Sequence, residues 1–186
     1  MVTLGTLWLP IVLSAVLVFV ASSIVWMALP HHKGDWKPLP DEAGAMQVLG
    51  RMALPPGQYR FPWAADQKAM QTPAFLEKLK KGPVGHLVVI PPGPFSMGRT
   101  LAVWFVYLLV VSVFVAYLTG RTVAPGTDYL RVFRVAGTVA VMAYAVGHAT
   151  SSIWWGRPWS VTLKDMADGV LYSLLTAGVF GWLWPR

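Results

Sequence analysis

Residues 100–120 read TLAVWFVYLLVVSVFVAYLTG, and no side chain in this stretch carries a charge. A helix rises about 1.5 Å per residue, so roughly 20 apolar residues cross a hydrocarbon layer of about 30 Å. Three further stretches without Lys, Arg, Asp or Glu lie at residues 2–30, 135–156 and 169–185. The sequence therefore predicts an integral membrane protein with four transmembrane helices.

The overall composition agrees with a membrane protein. Hydrophobic residues make up 55% of the chain and charged residues only 12%, against about 25% charged in an average soluble domain. The net charge of +7 is spread over the loops beside the predicted helices, where Lys and Arg meet lipid phosphates. This distribution is not the single basic patch of a nucleic-acid-binding protein, and the lack of cysteine excludes disulfides, thiolate catalysis and Cys-ligated metal.

These patterns predict an all-α membrane protein with a small Pro-rich α+β extramembrane insertion between helices 1 and 2. Residues 1–30 form the first transmembrane helix, residues 31–98 the insertion, and residues 99–186 transmembrane helices 2–4. Most of the fifteen prolines lie in the insertion, which is too small to bury a generous core of its own. We expect it to fold against the helix ends and the bilayer surface.

Local signals predict the elements of the insertion. Asp41 caps a short helix, and Thr72 begins a second helix that Gly82 terminates. Residues 86–90 are typical of a strand, which can pair with residues 59–61.

Capping residues also predict the ends of the later transmembrane helices. Ser96 begins the second helix and Gly120 ends it, while Thr127 caps the third. Pro158 ends the third helix, and Ser160 or Thr162 begins the fourth.

Small residues recur every four positions on the third and fourth helices. Such a stripe lets two helix backbones approach closely in lipid, and the sequence therefore predicts a tight antiparallel seam. Its residues are Ala143, Gly147 and Ser151 on the third helix, and Ser173, Ala177 and Gly181 on the fourth.

The number of helices and the charge of the short links predict the orientation. An even number of spans places both termini on one side of the membrane. The short links carry three arginines on that side and one Arg with one Lys on the other, so the positive-inside rule favours cytoplasmic termini and an external insertion.

The densest polar cluster follows the first helix. His31, His32 and Asp35 offer two imidazoles and a carboxylate to a divalent metal. Pro30 and Gly34 oppose the helix that would align them, and adjacent histidines tend to point apart. The alternative is an interfacial loop that solvates the helix end.

His148 is the one histidine inside an apolar stretch. An ionisable group at that depth is a candidate ligand to a haem-like cofactor or a proton-handling group. A neutral histidine bonded to Tyr144 or Ser152, one helical turn away, is the competing interpretation, and no other predicted span supplies a second axial histidine. We therefore predict no resident cofactor.

Charged residues near the ends of helices 3 and 4 complete the candidates. Asp165 and Asp168 could bind a cation or act as acid and base, but their position also suits carboxylates that cap a helix N-terminus. Arg131 and Arg134 share one helix face, and we expect them to contact anionic lipid headgroups.

Three stretches, at residues 31–40, 81–85 and 153–160, together resemble a group of small bacterial inner-membrane proteins of no assigned function. The resemblance covers nearly the whole chain. It implies a bacterial source, a location in the inner membrane and a compact four-span architecture, and it supplies no activity and no site residues.

No motif of a hydrolase, zinc protease or nucleotide-binding loop is present. The sequence therefore favours a non-catalytic protein, an accessory or assembly subunit of a larger membrane complex or a lipid-facing scaffold, with lipids and other membrane proteins as partners. The alternatives are a small envelope enzyme or metal-binding protein that uses the His31, His32 and Asp35 cluster, and a cofactor carrier that uses His148.

Overall fold

The computed structural model describes all residues from 1 to 186, which divide into two compact units. The first contains residues 1–35 and 96–186, and the second contains residues 36–95. In chain order the elements are α1 (Trp8–Met27), α2 (Glu42–Met52), β1 (Gly57–Phe61), α3 (Gln67–Met70), α4 (Pro73–Lys81), β2 (Gly85–Val89), α5 (Met97–Thr122), α6 (Tyr129–Tyr144), a 3₁₀ turn (Val146–His148), α7 (Ala149–Trp155) and α8 (Trp159–Trp182).

Three helices of the first unit are long and apolar enough to cross a membrane. They are α1 with 20 residues, α5 with 26, and the stretch Tyr129–Trp155 with 27, in which the 3₁₀ turn joins α6 to α7. Helix α8 has 24 residues, but charged side chains occupy its first half. A multi-pass membrane protein is thus supported by three helices, and the fourth span stays a prediction.

These helices pack as a ring around one interior. Helix α1 contacts α5 and α8, and α6 contacts the same two helices, most extensively α8. The buried apolar side chains of all four helices meet in a single core, which includes Leu7, Val18, Leu108, Val115, Val132 and Phe180. These side chains contact neither lipid nor water, and their close packing against one another stabilises the bundle.

Backbone hydrogen bonds bring the two termini to one end of the bundle. The Val2 amide donates to the Gly120 carbonyl at 3.0 Å, and the Gly126 amide donates to the Pro185 carbonyl at 2.9 Å. Neighbouring helices therefore run antiparallel, and the loop that follows α1 lies at the opposite end. The common side predicted for the termini is consistent with this arrangement.

The third long helix is interrupted, which the sequence did not predict. After Tyr144 the chain forms the 3₁₀ turn that contains His148, and α8 passes close beside it. A β-carbon on Gly169 would stand 2.3 Å from the Tyr144 carbonyl oxygen and 2.8 Å from the Ala145 α-carbon. Only glycine permits this contact, because the opposing atoms are backbone and cannot rotate away.

The small residues predicted for the seam differ in their surroundings between the two helices. Ser173 and Ala177 are buried, and a β-carbon on Gly181 would meet the Tyr129 ring at 2.7 Å. On the third helix, however, Ala143 and Gly147 are exposed, Ser151 is half-buried, and nothing lies within 4 Å of a β-carbon on Gly147. The inward face of α6 runs through Ala136, Ala140 and Tyr144, and Ala143 is out of phase with it by one position.

Several predicted helix ends also differ. The Ser96 side chain caps α5 as expected, but the helix continues through Gly120 to Thr122. Asp128 caps α6 in place of Thr127. The fourth long helix begins at Trp159, which is earlier than Ser160 or Thr162.

The second unit contains the predicted elements of the insertion. Asp41 caps α2, and Thr72 caps α4, which Gly82 terminates. Strands β1 and β2 pair antiparallel with Tyr59 opposite Leu87, which confirms the predicted pairing. Whether the unit lies against the helix ends stays a prediction.

Candidate functional site

A cluster of charged side chains joins the loop after α1 to the first half of α8. The Lys33 amide donates to the Pro30 carbonyl at 3.0 Å and the Asp35 amide donates to the His32 carbonyl at 3.1 Å. These two turns fold the loop back toward α8. The His32 ring stacks on the Trp26 ring of α1, with centroids 4.0 Å apart and planes 3° from parallel, so its position is fixed.

His32 lies between two carboxylates. Its Nδ1 is 2.6 Å from Asp35 Oδ2 and its Nε2 is 2.6 Å from Asp168 Oδ2. The side chain of His32 is 4% exposed and that of Asp168 12% exposed. His31 faces the same carboxylate, with Nε2 3.3 Å from Asp168 Oδ1, and is 34% exposed. Two adjacent imidazoles thus converge on one carboxylate of α8.

The environment shifts the pKa of two members of the cluster. Burial lowers the pKa of His32, but the hydrogen bonds and charges of Asp35 and Asp168 outweigh it and raise that pKa above its ordinary value. The pKa of Asp35 is lowered, first by the hydrogen bond from Lys164 and then by the one from His32. The Lys164 ammonium donates to Asp35 Oδ1 at 2.6 Å and also to the His31 carbonyl oxygen.

A second group of charges surrounds Asp165, one turn earlier on α8. Arg157 donates to Asp165 Oδ2, and His148 Nδ1 lies 3.8 Å from the same oxygen. The other carboxylate oxygen, Oδ1, is buried without a hydrogen-bond partner. The loop between α7 and α8 holds Arg157 in place, since its amide donates to the Ser151 carbonyl at 3.2 Å.

Three of these residues can hold a metal ion. One ligand atom each from His31, His32 and Asp168 lie within 4.8 Å of one another. Bond lengths of about 2.0–2.2 Å place neighbouring ligands of a tetrahedral zinc roughly 3.3 Å apart, which matches the 3.3 Å between His31 and Asp168. The 2.6 Å between His32 and Asp168 is a direct hydrogen bond that the ion would replace.

The structure groups His31 and His32 with Asp168 rather than with Asp35, and metal binding at the cluster stays a prediction. His31 and His32 do face a common point, contrary to the expectation that adjacent histidines point apart. Asp35 does not join them as a third ligand, because it bonds the far nitrogen of His32 instead. Asp168 takes its place. The interpretation of Asp165 and Asp168 as helix-capping carboxylates is also wrong, because α8 begins at Trp159 and both lie beyond its first turn.

Lys164 and Arg157 were not predicted to belong to any site. The available signal was a run of charge, Lys164, Asp165 and Asp168, within a helix that is otherwise apolar. Charged groups at such a position usually face a bundle interior and mark function.

The remaining candidates lie apart from the ligand set. His148 sits in the 3₁₀ turn beside Asp165, and Ser152, one of its expected partners, donates to Thr162 instead. Arg131 and Arg134 are exposed on α6 near the termini, and their contact with lipid headgroups stays a prediction.

No protein-family model matches this chain, and no curated protein or solved structure matches it.

Proposed function

We propose that this protein is a membrane-bound metal-binding protein whose site holds a divalent transition-metal ion, with Zn²⁺ the best fit. The observation that supports the proposal is the convergence of His31, His32 and Asp168 at one end of the helix bundle. Two imidazoles and one carboxylate are a common protein ligand set for zinc, and three protein ligands leave one tetrahedral position open.

The charge of the cluster supports a cation. The carboxylates of Asp35, Asp165 and Asp168 face only two permanent positive charges, those of Lys164 and Arg157. The group therefore carries one net negative charge while its histidines are neutral. Burial makes an uncompensated charge unfavourable, so the cluster must take up either a proton on His32 or a metal ion.

The surroundings of His32 resemble the support of a metal ligand. Its Nδ1 bonds to Asp35, which directs Nε2 toward Asp168. A carboxylate in this position fixes the imidazole orientation and increases its basicity as a ligand. Lys164 in turn holds Asp35 through the other carboxylate oxygen, so the arrangement extends over two layers of residues.

We propose further that α8 is the fourth transmembrane helix, that the protein resides in the bacterial inner membrane, and that its termini are cytoplasmic. The three long apolar helices support a multi-pass protein, and the ring packing of α8 against α1 and α6 favours insertion of all four helices together. The metal site would then lie near the outer surface. The accessory-subunit class stays a prediction of composition, and no contact of the structure favours it over metal binding.

Titration calorimetry tests the proposal on metal-stripped, detergent-purified protein with Zn²⁺ as the probe. We expect one ion per chain. His31→Gln is the cleanest ligand variant, because His31 is partly exposed and its loss disturbs little packing. It should weaken zinc binding by more than the roughly 10–100-fold that a supporting residue contributes, whereas Asp35→Asn should fall within that range.

His86→Gln is the matched control, because His86 lies on β2 in the second unit. Equal zinc affinity in wild type, His31→Gln and His86→Gln would overturn the proposal. The cluster would then be a set of ion pairs that only hold the loop after α1 against α8.

A further inference from the structure

A groove of about 380 Å³ lies on the outer surface of the bundle between α5 and α6. It is close to the end where the termini meet, because Thr122 is the last residue of α5. Both α5 and the long stretch that contains α6 are apolar enough to cross a membrane, so the groove opens toward lipid. Its lining residues are Leu118 and Thr122 of α5, and Arg134, Val135, Thr138 and Val139 of α6.

Arg134 gives this groove a positive charge that no carboxylate of the protein balances. None of the ion pairs of the structure involves Arg134, and none involves Arg121 or Arg131 at the same end of the bundle. Asp128, which caps α6, accepts a hydrogen bond from the Arg131 backbone amide. The unbalanced positive charge beside a lipid-facing groove favours an anionic ligand.

The two threonines leave Arg134 as the hydrogen-bond donor of the groove. Thr122 Oγ1 donates to the Leu118 carbonyl at 2.8 Å, and Thr138 Oγ1 donates to the Arg134 carbonyl at 2.8 Å. A hydroxyl carries one proton, so neither threonine has another to offer a ligand. The guanidinium has five N–H donors in a planar fork, which suits the oxygens of a phosphate.

The depth of the lining residues matches the layout of a phospholipid. Arg134 is five residues after Tyr129, where α6 begins, which is about 7.5 Å along the helix axis. Long side chains lean toward the N-terminus of their helix, so the Arg134 charge extends to the headgroup level while its stem stays in the apolar layer. Val139 lies roughly 7.5 Å deeper than Arg134, at the level of acyl chains.

A second groove, on α1, has a similar size but lacks the charge. Its volume is about 320 Å³, and its lining residues are Phe19, Val20, Ser23, Ile24, Met27 and Ala28. An acyl chain in this groove would be held without regard to the headgroup it carries. The α1 groove therefore serves as an internal comparison for the groove between α5 and α6.

We propose that the groove between α5 and α6 binds one anionic phospholipid. The lipid phosphate pairs with the Arg134 guanidinium, and one acyl chain lies along Leu118, Val135 and Val139. This site differs from a general contact of Arg131 and Arg134 with headgroups, because the groove holds a single lipid and selects its charge. It lies at the end of the bundle opposite the metal cluster, so the two proposals can fail separately.

Native mass spectrometry of the delipidated full chain in detergent tests the site. The probes are phosphatidylglycerol and phosphatidylcholine with identical acyl chains, and each bound lipid appears as a discrete mass increment. We expect the first phosphatidylglycerol to bind at least about fivefold more tightly than phosphatidylcholine, because one arginine near the membrane surface contributes this much to the attraction of an anionic lipid. Equal affinities for the two lipids would overturn the proposal.

Arg134→Gln should remove the preference for phosphatidylglycerol. Arg99→Gln is the matched control, because Arg99 is equally exposed but lies near the other end of α5, and this variant should bind both lipids as the wild type does. A preference that persists in Arg134→Gln would refute the role of Arg134.

Thr138→Trp tests whether an acyl chain occupies the groove. Thr138 is exposed, so the larger ring can fill the groove without entering the core, and phosphatidylglycerol binding should weaken to a similar extent as in Arg134→Gln. Val20→Trp fills the α1 groove instead and should leave the preference unchanged. Wild-type affinity for phosphatidylglycerol in Thr138→Trp would show that the arginine contacts headgroups without the groove, which contradicts the proposed site.

Discussion

Substitution of Gly169 by alanine probes the closest approach between α8 and the broken third helix. The new β-carbon would lie 2.3 Å from the Tyr144 carbonyl oxygen, 2.6 Å from the Tyr144 carbonyl carbon and 2.8 Å from the Ala145 α-carbon. Ordinary van der Waals contact needs about 3.5 Å or more, so the two backbones must separate by roughly 1 Å.

The expected magnitude follows from two opposing terms. Overpacking of a tight contact costs about 1–3 kcal/mol, and the upper part of this range applies because backbone atoms cannot rotate away. The higher helix propensity of alanine than of glycine offsets at most about 1 kcal/mol of this loss of stability. A net loss of about 1–2 kcal/mol should lower the melting temperature by roughly 2–8 °C for a chain of this size.

Gly147→Ala provides a matched control in the same region. Nothing lies within 4 Å of a β-carbon at this position, so the same chemical change adds no clash. Thermal unfolding of both variants in the same detergent, followed by tryptophan fluorescence, measures the difference. Equal melting temperatures for Gly169→Ala and Gly147→Ala would show that α8 does not approach Tyr144 as closely as described.

Three further predictions concern pH, orientation and the second unit. In metal-free protein, protonated His32 stabilises the fold, because its pKa is raised in the folded state. This stabilisation is fully present below the ordinary pKa of 6.5 and is lost as pH rises through the raised pKa. Ionised Asp35 also stabilises the fold, because its pKa is lowered in the folded state. This stabilisation is present at pH values above the ordinary pKa of 3.8 and is lost as pH falls through the lowered pKa. His32→Gln should therefore lower the melting temperature most between about pH 4 and 6.5, and a pH-independent difference would contradict this. A reporter that is active only in the cytoplasm should work when fused after Arg186, and activity only from an insertion at Gly57 would reverse the orientation. Residues 36–95 expressed alone should lack a cooperative melt, because the unit has few buried apolar side chains, and a sharp thermal transition would show an independent domain.

The elements that depend on local chemistry were predicted well from the sequence. Asp41, Thr72 and Ser96 cap the helices that they were expected to cap, because a capping side chain bonds to backbone within three residues of itself. The pairing of β1 with β2 followed from two short β-prone segments close in the chain. Three of the four apolar stretches lie in helices that are both long and apolar enough to cross a membrane.

The candidate site was predicted only in part, because its members are distant in sequence. His31 and His32 could be selected from their spacing alone, but Asp168 lies 136 positions beyond His32. A charged residue within a helix, such as Asp165, can also be a helix cap, a salt-bridge partner or a metal ligand, and the sequence does not distinguish these roles without the neighbouring residues. The stripe on the third helix misses the core for a related reason: packing against α8 selects the face of Ala136, Ala140 and Tyr144, and spacing alone does not distinguish that face from the one with Ala143.

The sequence by itself determined that this chain has long apolar helices, a Pro-rich segment between the first two, and histidines at the end of α1. Hydropathy and capping depend on residues close together in the chain, so a single segment contains the information that specifies each of these features. Only the tertiary structure decided that α8 turns Asp165 and Asp168 inward, and that Lys164 and Arg157 neutralise two of the three carboxylates of the cluster. These arrangements depend on how α8 rotates against α1 and α6, and side-chain packing between distant segments sets that rotation.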